Sequence, residues 1–185
     1  MNGVGDPECL GWAGRVCRSA RQRGHDITYY NLGVRRDTSH YIERRWEMEA
    51  TTRLPDPAQG RVVFSFGVND TAMAGKRRRV ELDVSLFMAR TILTRAQRIY
   101  PTLLVGPPPI EDPVQNPLIA ELSAALGQLC GELDVRYLPV FEALSANPVW
   151  VREVGDGDRS HPGDQGYAAL AELVEGWDAW RAWVP

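Results

Sequence analysis

Residues 61–70 read RVVFSFGVND, and this stretch sets the expectation for the whole chain. Its first six residues form a short, almost continuous apolar run with β-branched and aromatic side chains, which predicts a strand buried on both faces. Strands of this kind occur in parallel sheets that are covered by helices on both sides. The residues that follow, Gly67, Val68, Asn69 and Asp70, place polar side chains at the predicted carboxyl end of the strand.

Helical patterns alternate with strand patterns along the rest of the chain. Apolar residues at spacings of three and four predict helices, and short apolar or β-branched runs predict strands. The predicted strands cover Asp26–Leu32, Arg61–Phe66, Thr102–Val105 and Val135–Leu138. The predicted helices cover Cys9–Arg23, Thr38–Thr52, Leu82–Ala96, Asn116–Leu133 and a last helix marked by Tyr167 and Trp180. We expect Asp37 or Thr38 to cap the second helix.

This regular alternation implies right-handed βαβ units and a parallel sheet between two helical layers. We therefore expect an α/β fold, a three-layer α/β/α sandwich with a parallel sheet, in a single domain over residues 1–185. Sheets of this type bind ligands at the carboxyl ends of their strands. The first predicted element is a helix although such sheets normally begin with a strand, so we expect the first strand to be missing from the chain.

Composition excludes several classes of partner. A net charge of −3 and a pI near 5.7 give no reason to expect a nucleic acid. We interpret the basic run at residues 76–79 as a solvated approach to the next helix, with contact to an anionic substrate group as the alternative. Cys9, Cys17 and Cys130 have no metal-binding spacing and cannot all pair, which is typical of a cytoplasmic protein. No apolar run reaches the ~18 residues of a membrane span.

A carboxylate and an imidazole stand three residues apart in the segment Asp158-Arg159-Ser160-His161-Pro162. Such a carboxylate can hold one ring nitrogen while the other nitrogen takes a proton from a serine hydroxyl. Histidine titrates near neutral pH, so it can act as a base and then as an acid in one cycle. The alternatives are that His161 is a solvated loop residue, or that Asp156, five residues away, is the partner.

Asn69 follows a predicted strand and a glycine, a position from which its side-chain amide could donate to an oxyanion in a transition state. The alternative is that Asn69 caps the turn or helix after the strand, a role that Asp70 could also fill. None of the seven serines in the sequence lies in a strand-to-helix elbow of the kind that presents a nucleophile.

Three segments resemble, in order and separation, the second, third and last conserved blocks of the SGNH, or GDSL-type, hydrolases. They are residues 31–39 (NLGVRRDTS), 67–70 (GVND) and 158–162 (DRSHP), so the resemblance spans nearly the whole chain. It implies a flavodoxin-like strand order, 2-1-3-4-5, in which the first strand is central and ends in Gly-Asp-Ser. Residues 1–12, MNGVGDPECLGW, resemble the continuation of that first block.

From this resemblance we expect the domain to be N-terminally truncated, without its first central strand. We hypothesise that the recorded start is a valine codon read as the initiator Met1. The nucleophilic serine would then stand two residues upstream of Met1, and the 185-residue chain would be inactive because it lacks that serine.

The resemblance implies a serine ester hydrolase that cleaves acyl esters or thioesters through an acyl-enzyme. Its partner is a small-molecule acyl ester, and it uses no cofactor and no metal. His161 is implied as the general base, Asp158 as the residue that orients it, and Asn69 as an oxyanion donor. Most members have a glycine whose backbone N–H also serves the oxyanion; Arg36 matches that position, and Gly33 is the second choice. The replacement predicts a backbone conformation that a non-glycine residue tolerates.

Other interpretations stay open. A non-catalytic member of the family could keep the pocket as a binding or scaffold surface. An unrelated flavodoxin-like domain would bind a mononucleotide at the same edge, but it leaves the Asp158–His161 segment unexplained. Arg35 or Arg36 could pair with acidic residues on a neighbouring helix, or attract a carboxylate or phosphate on the substrate. The loops at residues 72–79 and 107–117 are expected to select the substrate, whose identity and the oligomeric state are not readable from the sequence.

Overall fold

The structure is a computed structural model that describes residues 3–56 and 59–185. In this part of the chain the helices are α1 (Gly11–Gln22), α2 (Ser39–Arg53), α3 (Val68–Thr71), α4 (Leu82–Gln97), α5 (Gln115–Leu133), α6 (Phe141–Ser145), α7 (Pro148–Asp156), α8 (Asp164–Glu175) and α9 (Asp178–Arg181). The strands are β1 (Val62–Ser65), β2 (Met73–Ala74), β3 (Arg77–Arg78), β4 (Thr102–Val105) and β5 (Arg136–Leu138). Among these described helices, none has the length and apolar character that a bilayer crossing requires.

The chain divides into two units, each with its own packing. The sheet unit consists of Arg36–Pro108 and Pro113–Phe141. The helical unit consists of Met1–Arg35, Pro109–Asp112 and Glu142–Pro185.

Three parallel strands form the main sheet of the sheet unit, in the order β1-β4-β5. Val63 of β1 lies opposite Leu103 of β4, and Leu104 of β4 lies opposite Tyr137 of β5. Leu104 and Val105 are completely buried, as expected for a central strand with both faces covered. The three strands predicted from continuous apolar runs in this region are therefore confirmed.

Helices flank this sheet. α2 packs against α4, and α4 packs against α5. Trp46 on α2 meets Phe64 on β1 edge-on, with ring centroids 5.4 Å apart, which is a favoured aromatic geometry. The same core contains the buried side chains of Phe66, Ala89, Ile92, Leu93, Leu122, Leu126 and Leu129. The expected α/β fold with a parallel sheet is observed.

A short antiparallel hairpin of β2 and β3 precedes α4, where the sequence analysis predicted no regular structure. It contains the basic run at residues 76–79, which is only partly a solvated segment. Arg78 forms an ion pair with Glu121 on α5, and Arg77 forms one with Glu81. Strands of two residues carry no measurable alternation of apolar and polar side chains, so the pattern could not indicate them.

The predicted strand at Asp26–Leu32 is wrong. Residues 25–34 of the helical unit have no regular secondary structure. A β-branched and aromatic composition favours a strand only where a neighbouring strand supplies backbone partners. No strand in the described ranges forms a ladder with this segment.

The helical unit is built on α8, which packs against α1 and α7. The last predicted helix is in fact two, because α8 ends at Glu175 and α9 begins after Gly176 and Trp177. Trp177 has an extended backbone and serves as the N-cap residue of α9. The prediction also missed α7, although Asn147-Pro148 is a typical helix start: Asn147 Oδ1 accepts the N–H groups of Val149 and Trp150.

A buried ion pair holds the first described residues to α1. The Asp6 side chain has no exposed surface, and its carboxylate accepts hydrogen bonds from the Arg15 guanidinium and from the backbone N–H groups of Leu10 and Gly11. The bond from Arg15 lowers the pKa of Asp6 to about 2, although burial acts in the opposite direction. Arg15 also forms an ion pair with Asp164 in the first turn of α8. The Arg15 guanidinium therefore joins three segments of the helical unit: the first described residues, α1 and the start of α8.

We predict that Asp6→Asn removes an acid-sensitive part of the stability. The pKa of Asp6 is lower in the folded chain than its ordinary value of 3.8, so its contribution is complete above pH 3.8 and is lost as the pH falls to about 2. A shift of this size corresponds to about 2 kcal/mol. Urea denaturation at pH 6, 3 and 2 measures the free energy of unfolding of the original protein and of Asp6→Asn. The difference between the two values should fall by that amount as the pH is lowered from 6 to 2. Asp83→Asn, at an exposed helix position, is the control, and a gap that stays constant with pH would contradict the prediction.

Candidate active site

Asp158 and His161 meet in the loop between α7 and α8 of the helical unit. Oδ2 of Asp158 lies 2.7 Å from Nδ1 of His161. Oδ1 of Asp158 accepts the backbone N–H groups of Ser160 at 3.0 Å and of His161 at 2.8 Å. This is an Asx-type turn, and it explains how a spacing of three residues brings the two side chains together. The competing carboxylate, Asp156, ends α7 and is not the one bonded to the ring.

The protonation of this pair follows from its hydrogen bonds. Burial raises the pKa of Asp158, but the bonds from the His161 ring and from two backbone N–H groups outweigh it, so the pKa lies below its ordinary value. An ionised carboxylate can only accept, and a neutral His161 must therefore carry its proton on Nδ1. Nε2 then holds a lone pair and bonds to no residue in the described part of the chain. The arrangement is that of an imidazole base held by a carboxylate.

Two further contacts fix the loop that carries His161. Arg159 has a left-handed backbone with φ of +66°. Its carbonyl accepts the N–H of Glu111 at 2.9 Å, while its side chain returns to the Glu111 carboxylate. On the other side of the loop, Glu153 of α7 accepts the N–H of Gly166 in α8 at 2.7 Å. Backbone and side-chain bonds thus hold the loop at both of its ends.

Residues near the start of the chain also lie against the segment that carries His161. A Cβ on Gly5, whose φ is +83°, would lie 2.8 Å from the Pro162 carbonyl oxygen and 3.8 Å from the His161 Cβ. The neighbouring Val4 carbonyl accepts the Tyr167 hydroxyl at 2.9 Å. The spacing Gly3-Val4-Gly5 was the available signal, since glycines mark close approaches of the backbone.

In the sheet unit, Asn69 lies in the short helix α3, directly after β1. Its Nδ2 donates to the Asp37 carbonyl at 3.0 Å. An amide nitrogen carries two hydrogens, so one N–H positions the loop and the other remains for a further acceptor. The N-cap residue of α3 is Gly67, which lies at φ +123°. Asn69 is therefore not a capping residue, and that alternative is wrong.

Arg36 lies in the loop that Asn69 holds, and its φ is +65°. The backbone thus keeps the left-handed conformation that glycine adopts easily, whereas a conformation suited to other residues was predicted. The Arg36 carbonyl accepts Nη2 of Arg79 at 3.0 Å. The structure therefore brings Asn69 and Arg36 together in the sheet unit, through the bond from Asn69 to Asp37. It brings Asp158 and His161 together in the helical unit.

Asp70, which follows Asn69, is the main residue of this part of the sheet unit whose role sequence reasoning missed. It is completely buried, and its carboxylate accepts the Ser39 N–H at 2.8 Å and the Ser85 hydroxyl at 2.9 Å. The first of these bonds caps α2, for which Asp37 or Thr38 was expected; Thr38 is the N-cap residue but its side chain makes no capping bond. Asp37 is instead bonded to Arg45 within α2 at 2.7 Å.

Gly33, the second-choice oxyanion donor, and the two arginines Arg35 and Arg36 differ from what the sequence analysis predicted for them. The N–H of Gly33 is already donated to Asn31 Oδ1 at 3.0 Å, so it is less available to an oxyanion. Ion pairs between Arg35 or Arg36 and a neighbouring helix were one of the two interpretations of these residues. In residues 3–56 and 59–185, neither guanidinium forms one.

Two of the three cysteines, Cys17 and Cys130, offer no substitute nucleophile. Burial raises the pKa of Cys17 to about 11 and that of Cys130 to about 12, so both remain protonated thiols at neutral pH. The exposed Cys9 is a free thiol in the turn before α1. The described ranges also contain no group of three His, Cys, Asp or Glu side chains that could hold a metal ion.

We predict that Arg36→Gly stabilises the protein. A non-glycine residue in the left-handed region costs about 1 kcal/mol, and glycine removes this strain. Equilibrium denaturation should therefore show a rise of up to that amount in the free energy of unfolding. Arg36→Ala, which removes the same side chain but keeps the strain, is the matched control. An equal gain in both variants would attribute the effect to the charge and contradict the prediction.

Comparisons with known proteins identify the family. The chain resembles an acetylxylan esterase from Geobacillus stearothermophilus, with a TM-score of 0.72 and 21% identity over 95% of this chain and 83% of the other. It also resembles a lipase/acylhydrolase from Enterococcus faecalis, with a TM-score of 0.72 and 21% identity over 93% and 86% of the two chains. A search of curated protein sequences gives no match. A family model for GDSL-like lipases and acylhydrolases matches residues 1–169, and the chain therefore belongs to the GDSL-like lipase/acylhydrolase family.

Proposed function

We propose that the protein is a serine ester hydrolase in which Asp158 and His161 form the base. The observation that carries this proposal is the 2.7 Å contact between Oδ2 of Asp158 and Nδ1 of His161, made by a carboxylate that is itself held by two backbone N–H groups. Such a carboxylate keeps the ring in one orientation and one tautomer. Membership of a hydrolase family supports the same assignment.

The proposed reaction proceeds in two halves. Nε2 of His161 takes the proton of a serine hydroxyl while the serine oxygen attacks the acyl carbonyl, and the imidazolium then gives that proton to the leaving alcohol or thiol. The product of this half is an acyl-enzyme. A water molecule next gives its proton to Nε2 and attacks the acyl carbon, which releases the carboxylic acid and returns the proton to serine. Ionised Asp158 stabilises the imidazolium in both halves.

The proposal assigns the developing oxyanion to Asn69 and to the backbone N–H of Arg36, with Gly33 as the second choice. One N–H of the Asn69 amide is engaged by the Asp37 carbonyl, and its second N–H is the proposed donor. Removal of a single donor of this kind typically costs about 3–4 kcal/mol of transition-state stabilisation.

We propose further that the nucleophile stands two residues upstream of Met1 in the complete form, and that residues 1–185 alone form no acyl-enzyme. The positions of the serines support this. Ser39 and Ser85 are buried against Asp70, Ser123 lies within hydrogen-bond distance of the Tyr137 hydroxyl, and Ser19 accepts a bond from Arg23. The remaining serines are Ser65 in β1, Ser145 at the end of α6 and Ser160 beside His161.

The proposed substrates are acyl esters or thioesters. Because a neighbouring structure is an acetylxylan esterase, acetylated sugars are the first natural esters to assay, beside 4-nitrophenyl acetate as a general reporter. We expect one hydrolase domain to carry the whole reaction.

We predict that a fluorophosphonate probe labels the chain extended through its in-frame upstream codons and leaves residues 1–185 unlabelled. In the extended protein, His161→Ala should lower kcat for 4-nitrophenyl acetate by at least about a thousandfold, because the base is lost. Asn69→Ala should lower kcat by roughly a hundredfold to a thousandfold. His40→Ala, an exposed histidine outside the proposed machinery, should leave kcat unchanged.

Two results would oppose this proposal in different ways. Labelling of residues 1–185 alone would show that the nucleophile lies within them. An extended protein that melts cooperatively but is not labelled would indicate a non-catalytic member of the family that keeps the pocket for binding.

A further inference from the structure

We propose that Arg15 is a positioning residue for His161, acting through its ion pair with Asp164. The inference rests on the proposed function, because the orientation of the His161 ring matters only if Nε2 receives a proton. It concerns the helical unit alone, in which all of the residues involved lie.

Among the described cations, only Arg15 contacts both the first described residues, at Asp6, and the start of α8, at Asp164. Its side chain is 8% exposed, and its guanidinium holds the buried Asp6 carboxylate with both terminal nitrogens. One of those nitrogens also contacts Asp164, and the other donates to the Gly11 carbonyl at 3.0 Å. A planar guanidinium with five N–H donors can serve several acceptors at once in fixed directions, which the ammonium of lysine cannot do.

Asp164 stands three residues after His161 and opens α8. With Pro162 and Gly163 between them, the end of the His161 loop is set by where α8 begins. This connection is only two residues long and proline fixes its own backbone φ, so a displacement of the helix start acts on His161 over a short distance. The ion pair from Arg15 therefore anchors the loop on the side opposite the Glu111–Arg159 contacts.

The segment on the other side of Arg15 reaches the same loop by packing. Asp6, the principal partner of Arg15, follows Gly5, where any side chain would collide with the Pro162 carbonyl. The Tyr167 hydroxyl, one turn into α8, donates to the Val4 carbonyl. Arg15 thus holds both the first described residues and the start of α8. Pro162 lies against Gly5 in the first of these segments, and His161 directly precedes Pro162.

The proposal predicts the tautomer of His161. With the loop in place, Asp158 accepts from Nδ1–H and the neutral ring carries its proton on Nδ1. If the start of α8 loses the Arg15 contact and keeps only the bonds from Gly166 and Tyr167, we expect the ring to shift relative to Asp158 and the tautomer ratio to move towards the Nε2–H form that free imidazole side chains prefer. The ratio can be measured by long-range 1H–15N NMR at a pH where the ring is neutral, in residues 1–185 and without any activity.

The test compares the His161 tautomer ratio in Asp164→Ala, Arg15→Lys and Glu172→Ala, each checked for folding by its thermal melt. Asp164→Ala removes an exposed partner and keeps the buried Asp6 pair, so it remains folded even if Arg15→Lys does not. Glu172→Ala, an exposed acidic residue on the same helix, is the matched control. His161→Gln identifies the His161 resonances among the three histidines.

We expect Asp164→Ala and Arg15→Lys to lower the Nδ1–H fraction of His161 and Glu172→Ala to leave it unchanged. In the serine-bearing protein, Asp164→Ala should lower kcat by roughly tenfold with KM unchanged. An unchanged tautomer ratio in a folded Asp164→Ala variant would overturn the proposal and leave Arg15 a purely structural role, as would an equal shift in Glu172→Ala. Because the NMR measurement needs no catalysis, its result is separate from the outcome of the labelling experiment.

Discussion

A guanidinium buried between two carboxylates organises the helical unit. Charges removed from water are strongly unfavourable unless they are paired and hydrogen-bonded, and removal of one partner leaves the other exposed to that cost. Arg15 and Asp6 satisfy this condition when the first described residues and α1 are both in place, and Asp164 at the start of α8 adds a partly exposed third partner. The ion pairs therefore link these three segments, and the loop that carries His161 directly precedes the last of them.

The sheet unit meets the same requirement with a different solution. Asp70 is completely buried, and its carboxylate is held by an N–H group at the start of α2 and by a hydroxyl on α4 rather than by an arginine. The helix start also contributes a partial positive charge, which favours an anion there. Since Asp70 follows Asn69 directly, the candidate oxyanion donor is placed by a residue that is itself fixed by two helices.

Local patterns predicted the parts of the protein that depend on neighbours in sequence. The strand at Thr102–Val105 is a continuous apolar run, and Asp158 meets His161 because one turn of the chain connects them. Features that depend on distant partners were missed or wrong. Nothing in residues 26–32 reveals whether a strand lies beside them, and nothing near Asp70 shows that its carboxylate will be buried against the more distant helices α2 and α4.

The loop between Arg36 and Thr38 illustrates what such anchoring implies for a bound anion. Its two successive carbonyls are each held by a side chain, that of Arg36 by Arg79 and that of Asp37 by Asn69. Because a trans peptide is planar, a carbonyl that cannot turn also fixes the direction of the N–H on the opposite side of the same peptide group. These two dipoles, whose N–H groups belong to Asp37 and Thr38, are oriented when the chain folds, so in the proposed function they would not have to reorganise as negative charge develops beside them.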